Sequence, residues 1–268
     1  MADKLKSVYL QTTNFCNGEC SICPYKDVYY NQPIKKMSQN LLFKILSDLG
    51  EDYSGEVGFY FQYEPLSDDR ICSFLETVKF NCPKARTVLS TNASMLNKHA
   101  TDKLVDDGNL DVIYFNILAG KKETYEKVQS PLGWDNMLKN VNYFASQFKG
   151  KMFVNYIKTN ETKNEVRDLR KVLNKKINII SEYWASDRLG KTYVDVPKGS
   201  KNRFVRDKKC QVIKKGLYIY WDGVVPLCCE CWEREVIIGD VKYQNVYDIF
   251  NSSLKNNDHA ICRKCLIK

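Results

Sequence analysis

No stretch of this sequence approaches the roughly 20 consecutive apolar residues that a membrane-crossing helix needs. The longest apolar runs are short, as at Val112-Ile113-Tyr114-Phe115. A helical membrane span is therefore excluded. The first residues, Met1-Ala2-Asp3-Lys4-Leu5-Lys6, lack the apolar centre of a secretion signal. The expected location is the cytoplasm. Neither a Gly-x-Gly-x-x-Gly fingerprint nor a Walker-type phosphate loop follows the first apolar run. There is no repeat, no low-complexity tract and no basic segment interleaved with aromatics, so nucleic acid is not an expected partner. Histidine is scarce, with His99 and His259 the only two.

What is present points to a soluble enzyme-sized chain. Its 268 residues, 44% of them hydrophobic, suit one large domain with a small appendage. The formal net charge is +9, and thiolates committed to one three-ligand and one four-ligand cluster would bring it to about +6. A basic surface is compatible with an anionic substrate, though lysine-rich chains are commonly just well solvated. Eleven cysteines, an odd number, lie close together in groups. In a reducing compartment such groups point to metal or redox chemistry rather than disulfides.

The first two-thirds alternates strand-like and helix-like segments. Strands are expected at Val8–Gln11, Val57–Tyr63, Thr87–Thr91, Val112–Leu118, Phe153–Lys158 and Ile177–Trp184. Between them, Leu41, Leu42, Ile45, Leu46 and Leu49 share one helical face, as do Val166, Leu169, Val172 and Leu173. Ser38 is placed to cap the first of these helices. Six strands alternating with helices give an α/β class with a parallel sheet, whose active site belongs in the loops after the strand ends. From Pro197 the character changes. Pro197-Lys198-Gly199-Ser200-Lys201-Asn202 reads as a linker, and the remainder is cysteine-rich. It has a hairpin signal, Leu217–Trp221 and Val224–Leu227 around Asp222-Gly223. The expected division is 1–196 and 197–268.

Cys16-Asn17-Gly18-Glu19-Cys20-Ser21-Ile22-Cys23 follows the first strand directly. Three thiolates within eight residues can wrap one side of a four-iron cubane and leave the fourth iron open, the mark of a catalytic centre. Gly18 is expected to supply backbone freedom. The bland alternative is a zinc knuckle. Zinc wants four protein ligands, and no nearby Cys or His completes the set. At the other end, Cys210, Cys228, Cys262 and Cys265 could hold either zinc or a second cluster. Cys72 and Cys82 are expected to be packing residues.

The Cys-x3-Cys-x2-Cys loop after a first strand resembles the signature of the radical S-adenosylmethionine (SAM) superfamily. That resemblance implies a partial (β/α)6 TIM-like barrel, a [4Fe–4S] cluster on Cys16, Cys20 and Cys23, and SAM bound to the open iron and cleaved to a 5′-deoxyadenosyl radical. Tyr63-Glu64-Pro65 is similar to the Gly-Glu-Pro motif of the family and implies Glu64 near the SAM amino group, with Tyr63 in place of the glycine. Ser90-Thr91-Asn92 and Asn116 stand at the third and fourth strand ends, where the family meets SAM, so Ser90, Asn92 and Asn116 are the further cofactor candidates. Ile22 replaces an aromatic residue common there. Cys210, Asp222-Gly223 through Cys228, Ile238-Gly239-Asp240-Val241, Val246 through Ser252 and Cys262-x-x-Cys265 resemble the SPASM/twitch extension in its small form. They imply one auxiliary [4Fe–4S] cluster on Cys210, Cys228, Cys262 and Cys265. Among small members, dehydrogenases of the 2-deoxy-scyllo-inosamine type share the length, the triplet and a Ser-x-Arg-x-Gly stretch. Ser186-Asp187-Arg188-Leu189-Gly190 resembles that stretch and makes Arg188 a candidate substrate anchor or proton acceptor.

Three functions follow as expectations. The first is radical oxidation of a small polar molecule such as a carbohydrate, aminocyclitol or nucleotide-linked sugar, with an electron passed to the auxiliary cluster and an external donor such as flavodoxin or ferredoxin. The second is crosslinking or epimerisation of a ribosomally made peptide, in which Cys231 or Cys229 would donate a hydrogen atom. The third is a non-catalytic iron–sulfur or zinc protein that binds a partner.

Overall fold

Apolar, β-branched runs followed by polar turns become parallel strands, because a strand buried on both faces needs apolar side chains on both. The computed structural model describes residues 4–180, 183–196, 205–206, 209–253, 259, 261–262 and 265. Six strands form the core: β1 (Ser7–Leu10), β2 (Glu56–Phe59), β3 (Arg86–Thr91), β4 (Val112–Asn116), β5 (Lys151–Asn155) and β6 (Asn178–Ile180). They pair in parallel, with Val8 opposite Val57, Val57 opposite Thr87 and Val88 opposite Val112. Ile113 stands opposite Met152, and Val154 opposite Ile179.

The helices are α1 (Tyr25–Val28), α2 (Gln39–Leu49), α3 (Ile71–Asn81), α4 (Lys98–Asp106), α5 (Lys122–Val128), α6 (Trp134–Gln147) and α7 (Val166–Val172). The Ser38 hydroxyl accepts from Leu41 N at 3.2 Å and caps α2 as expected. Leu42, Ile45 and Leu46 of that helix are fully buried, and Cys72 and Cys82 pack in the same core. Helix α7 ends at Val172, which is 41% exposed, so Leu169 and Leu173 carry its buried face without it.

Beyond Pro197–Asn202, which lies outside the described residues, come β7 (Val205–Arg206), β8 (Lys209–Cys210), α8 (Gln211–Lys215), β9 (Gly216–Ile219), β10 (Val224–Pro226), β11 (Ile237–Asp240) and α9 (Val246–Ser253). The Asp222-Gly223 turn forms. Tyr220 N donates to Val224 O, Gly223 N donates to Tyr220 O, and Gly223 has φ +88°. The ladders go elsewhere than the expected hairpin. Strand β10 pairs antiparallel with β11, and β9 lies parallel to β1, with Leu10 opposite Ile219. The outer edge of β1 offers unpaired backbone groups, and β9 satisfies them while burying Leu217 and Ile219. A Cβ at Gly216 would stand 2.6 Å from the Ser7 hydroxyl, so this close approach needs glycine.

The resulting sheet runs β6-β5-β4-β3-β2-β1-β9 and forms a partial barrel with β6 and β9 as its edges. Helix α9 closes onto α2, with Val246 N donating to an Asp48 carboxylate oxygen at 3.1 Å. No described helix is long and apolar enough to cross a membrane.

Candidate active site

The cysteine loop leaves β1 and is tied down on three sides. Asn17 donates to the Ser94 hydroxyl at 2.8 Å and accepts from the Asn92 amide at 2.9 Å. Glu64 N donates to Phe15 O at 3.0 Å, and Glu19 N and Ser21 N donate to Ser130 O and Val128 O. The loop thus rests on the carboxyl ends of β2 and β3 and on the segment after α5. Gly18 is not in the left-handed region. A Cβ there would stand in ordinary contact, 3.4 Å from Leu132 and 3.6 Å from the Cys20 sulfur.

Burial pushes the thiols of Cys16, Cys20 and Cys23 up, Cys20 to about 12, and neighbouring thiols add to the rise at Cys16 and Cys20. Thiolates in such a place need a positive partner. Three part-buried thiols on one loop, close enough to act on one another, fit the protein ligands of a [4Fe–4S] cluster. Among the described residues, no three His, Cys, Asp or Glu side chains converge as one metal ion would require. A cubane spreads its ligands over separate irons instead. Tyr25, Tyr29 and Trp232 pack together against Cys16 and Cys23 and wall the loop off.

Glu64 is buried at the end of β2. Its carboxylate accepts from Leu66 N at 3.0 Å, the Thr91 hydroxyl at 2.6 Å and Asn92 N at 2.8 Å. Burial pushes it up to about 7, against the pull of those three bonds. The glycine-like backbone of this corner falls on Phe61 and Gln62, with φ 116° and 59°, and Tyr63 donates its hydroxyl to Leu10 O at 3.0 Å. Next to it runs a polar row. The Asn116 amide donates to the Ser90 hydroxyl at 3.0 Å, and the Asn155 amide donates to Asn116 at 3.3 Å. Glu64, Ser90, Asn92 and Asn116 therefore share the barrel end that carries the cysteine loop.

A cavity of about 1040 Å³ occupies the barrel. Tyr9, Tyr60, Tyr114, Tyr183, Trp184 and Tyr218 form much of its wall, and Ser186, Arg188, Cys229 and Glu230 stand on it. Arg188 donates to Glu230, Ser186 donates to the other Glu230 oxygen at 3.1 Å, and Arg188 N donates to the Ser186 hydroxyl at 3.1 Å. Arg188, Leu189 and Gly190 are all left-handed, a strained turn that these contacts hold. Burial opposes the guanidinium charge, but Glu230, with Cys229 and Cys23 nearby, holds its pKa above the ordinary value. Arg188 therefore keeps its charge beside Glu230. Glu230 had no signal of its own in the sequence, because its partners lie 42 and 44 residues upstream.

The second cysteine group is partly assembled. Cys228 and Cys231 are buried with Ile213 and Leu227, and Cys262 packs against them. Cys231 N donates to Cys228 O at 3.2 Å, which holds the two cysteines in one tight turn. Cys210 closes β8, but its side chain lies outside the described residues. Cys265 is half-buried. None of the ten described cysteines forms a disulfide. Cys231 is fully buried in this group, and Cys229, not Cys231, reaches the cavity.

The family model for the radical SAM superfamily matches residues 10–173. The model for an iron–sulfur cluster-binding domain, SPASM, matches residues 210–266. No curated protein matches the chain. Solved structures share its fold. BtrN in complex with AdoMet and 2-DOIA is 18% identical, with a TM-score of 0.63 over 95% of this chain and 86% of that one. SuiB of Streptococcus suis bound to precursor peptide SuiA is 12% identical, with a TM-score of 0.73 over 99% of this chain and 70% of that one. For anSMEcpe with bound AdoMet the identity is 15% and the TM-score 0.66, over 97% and 86%.

Proposed function

The chain belongs to the radical SAM superfamily, and from that premise we propose that it oxidises an alcohol group of a small polar molecule held inside the barrel. It is a radical SAM enzyme with [4Fe–4S] clusters and S-adenosylmethionine as cofactors. The substrate class is a carbohydrate, aminocyclitol or nucleotide-linked sugar. When bound, the cofactors supply a 5′-deoxyadenosyl radical that removes a hydrogen atom from carbon and an auxiliary cluster that accepts the second electron.

The residues take the following parts in this reading. Cys16, Cys20 and Cys23 hold the first cluster, and Cys210, Cys228, Cys262 and Cys265 hold the second, with 1–196 and 197–268 as the two functional regions. Glu64, Ser90, Asn92 and Asn116 shape the SAM side of the site. Arg188 orients the substrate hydroxyl through the guanidinium donors that Glu230 does not use. Glu230 takes the hydroxyl proton. An alcohol becoming a ketone loses one hydrogen atom, one proton and one electron, and only the proton needs a side chain. The observation that carries the reading is the Ser186–Glu230–Arg188 set on the wall of an aromatic cavity. The fold likeness to BtrN, solved with 2-DOIA, supports it.

Modification of a peptide is the second reading. It is favoured by the likeness to SuiB with its precursor peptide and by the Cys229 thiol on the cavity wall. Isotope transfer separates the two. The anaerobic holoenzyme, with SAM, a strong reductant and aminocyclitols or sugars deuterated at the carbinol carbon, should yield deuterated 5′-deoxyadenosine and a ketone. Deuterium arriving only from a labelled peptide would replace the first reading with the second.

A further inference from the structure

The cavity is longer than one sugar ring. Arg86, Val88 and Ser90 alternate along β3 and all stand on its wall, so the inner face of that strand lines it from the first residue almost to the last. From Arg86 to Ser90 the strand climbs about 13 Å, at about 3.3 Å per residue. A six-membered ring spans about 6 Å between opposite substituents, with C–C bonds of about 1.5 Å. The volume, about 1040 Å³, stands at the top of the range of about 300–1,000 Å³ for sites that hold drug-sized ligands. Of the residues assigned to the SAM side, only Ser90 is on the wall, so the space below it belongs to the substrate.

The two ends differ in charge. At the carboxyl end of the sheet stand Ser186 and Arg188, both bonded to Glu230. At the amino end stand Lys4, Lys6, Arg86 and Lys215, all exposed, so this end opens to solvent. Glu56 is the one carboxylate at that end among the described residues; it lies opposite Arg86 in register and accepts from it. Four cations against one carboxylate leave a positive field at the mouth, focused by the low-dielectric wall. A second hollow shares Arg86 and adds Lys149 and Lys151 to the same face of the barrel. Between the ends the wall is aromatic, with Tyr9, Tyr60, Tyr114 and Tyr218, surfaces that suit the apolar face of a sugar ring. Oxidation of a hydroxyl beside Arg188 makes no use of the far cations, whereas an anionic group on the far end of the same substrate would.

We propose that the substrate is a sugar carried on a nucleoside diphosphate, with its reacting hydroxyl beside Arg188 and Glu230 and its diphosphate at the basic end formed by Lys4, Lys6, Arg86 and Lys215. The proposal rests on the alcohol-oxidation reading above. A ring alone stops about halfway down the barrel. A diphosphate supplies both the missing length and the charge, and the nucleoside beyond it extends into the open mouth.

The test is calorimetric binding to the anaerobic holoenzyme, with the diphosphates of adenosine, guanosine, uridine, cytidine and thymidine as probes. At least one should bind tenfold or more tighter than its own nucleoside, and added salt should weaken it. The triple variant Lys4→Glu, Lys6→Glu, Lys215→Glu should lose at least tenfold of that affinity. Diphosphates that bind no tighter than their nucleosides, or binding that the triple variant leaves unchanged, overturn the proposal. A sugar 1-phosphate that binds as tightly as the best diphosphate also overturns it, since the nucleotide is then not what the site reads. If the triple variant does not fold, the comparison of diphosphate with nucleoside on the wild-type protein decides. Deuterium transfer separates this from the reading it rests on. If an unphosphorylated aminocyclitol passes its deuterium to 5′-deoxyadenosine while no diphosphate binds, the oxidation stands and this proposal falls. If a diphosphate binds as expected but no deuterated sugar, free or nucleotide-linked, passes its label, the oxidation reading falls and takes the proposed substrate with it.

Discussion

Arg188 keeps its charge in a buried place because Glu230 lies against it, and Glu230 keeps its position because Ser186 and Arg188 both donate to it. Glu230→Gln keeps the shape and one acceptor oxygen but cannot take a proton. It should lower ketone formation about 100-fold or more while deuterium transfer to 5′-deoxyadenosine persists, read by comparing the two products. Glu64 offers a second measurement. Its ordinary value is 4.5, and burial raises it to about 7. The folded chain then binds a proton that the unfolded chain has released. This contribution is full below pH 4.5 and is lost as pH rises through about 7. It amounts to about 3 kcal/mol at most. Urea unfolding of the iron-free chain at pH 5 and pH 8 should show wild type losing more stability than Glu64→Gln. Ligand candidates such as Cys16, Cys20 and Cys23 were legible at this scale because they are neighbours in sequence. Glu230 was not, since it gains its meaning from partners on another element.

Among the elements, the strand starts and the face of α2 follow from apolar spacing, and Ser38 was readable as its cap. Ser38→Ala should destabilise the fold by about 1 kcal/mol, measured by chemical denaturation. Strand ends were read too long. Val57–Tyr63 stops at Phe59 because Phe61 and Gln62 turn left-handed to bring Glu64 under the cysteine loop, a local departure that function demands and spacing does not record. Strand β9 was assigned the wrong partner. Its alternation matches a hairpin, and nothing local says that the edge of β1 competes for it. Gly216→Val should therefore cost about 1–3 kcal/mol by forcing β9 off Ser7, while the same change at the exposed Gly133, where a Cβ meets nothing, should cost far less.

For the whole molecule, cofactor content and stability are linked. Anaerobic protein should carry about eight irons and eight sulfides per chain, and zinc in place of half of them would remove the auxiliary cluster. Chelation of the iron should lower the denaturation midpoint and open the region around Cys228, Cys231 and Cys262 first, detected by amide hydrogen exchange, because those buried thiols lose what holds them together.

The partner of β1 also sets an order of events in the cell. The Ser7 hydroxyl donates to Lys215 O, 208 residues away along the chain. During synthesis the first strand leaves the ribosome long before β9 exists, so its outer edge waits unpaired while the rest of the sheet assembles. Ribosome stalling or truncation before Gly216 would leave that edge open to a second nascent chain. The segment that carries β9 is thus a built-in guard against self-association, made only after the other six strands of the sheet.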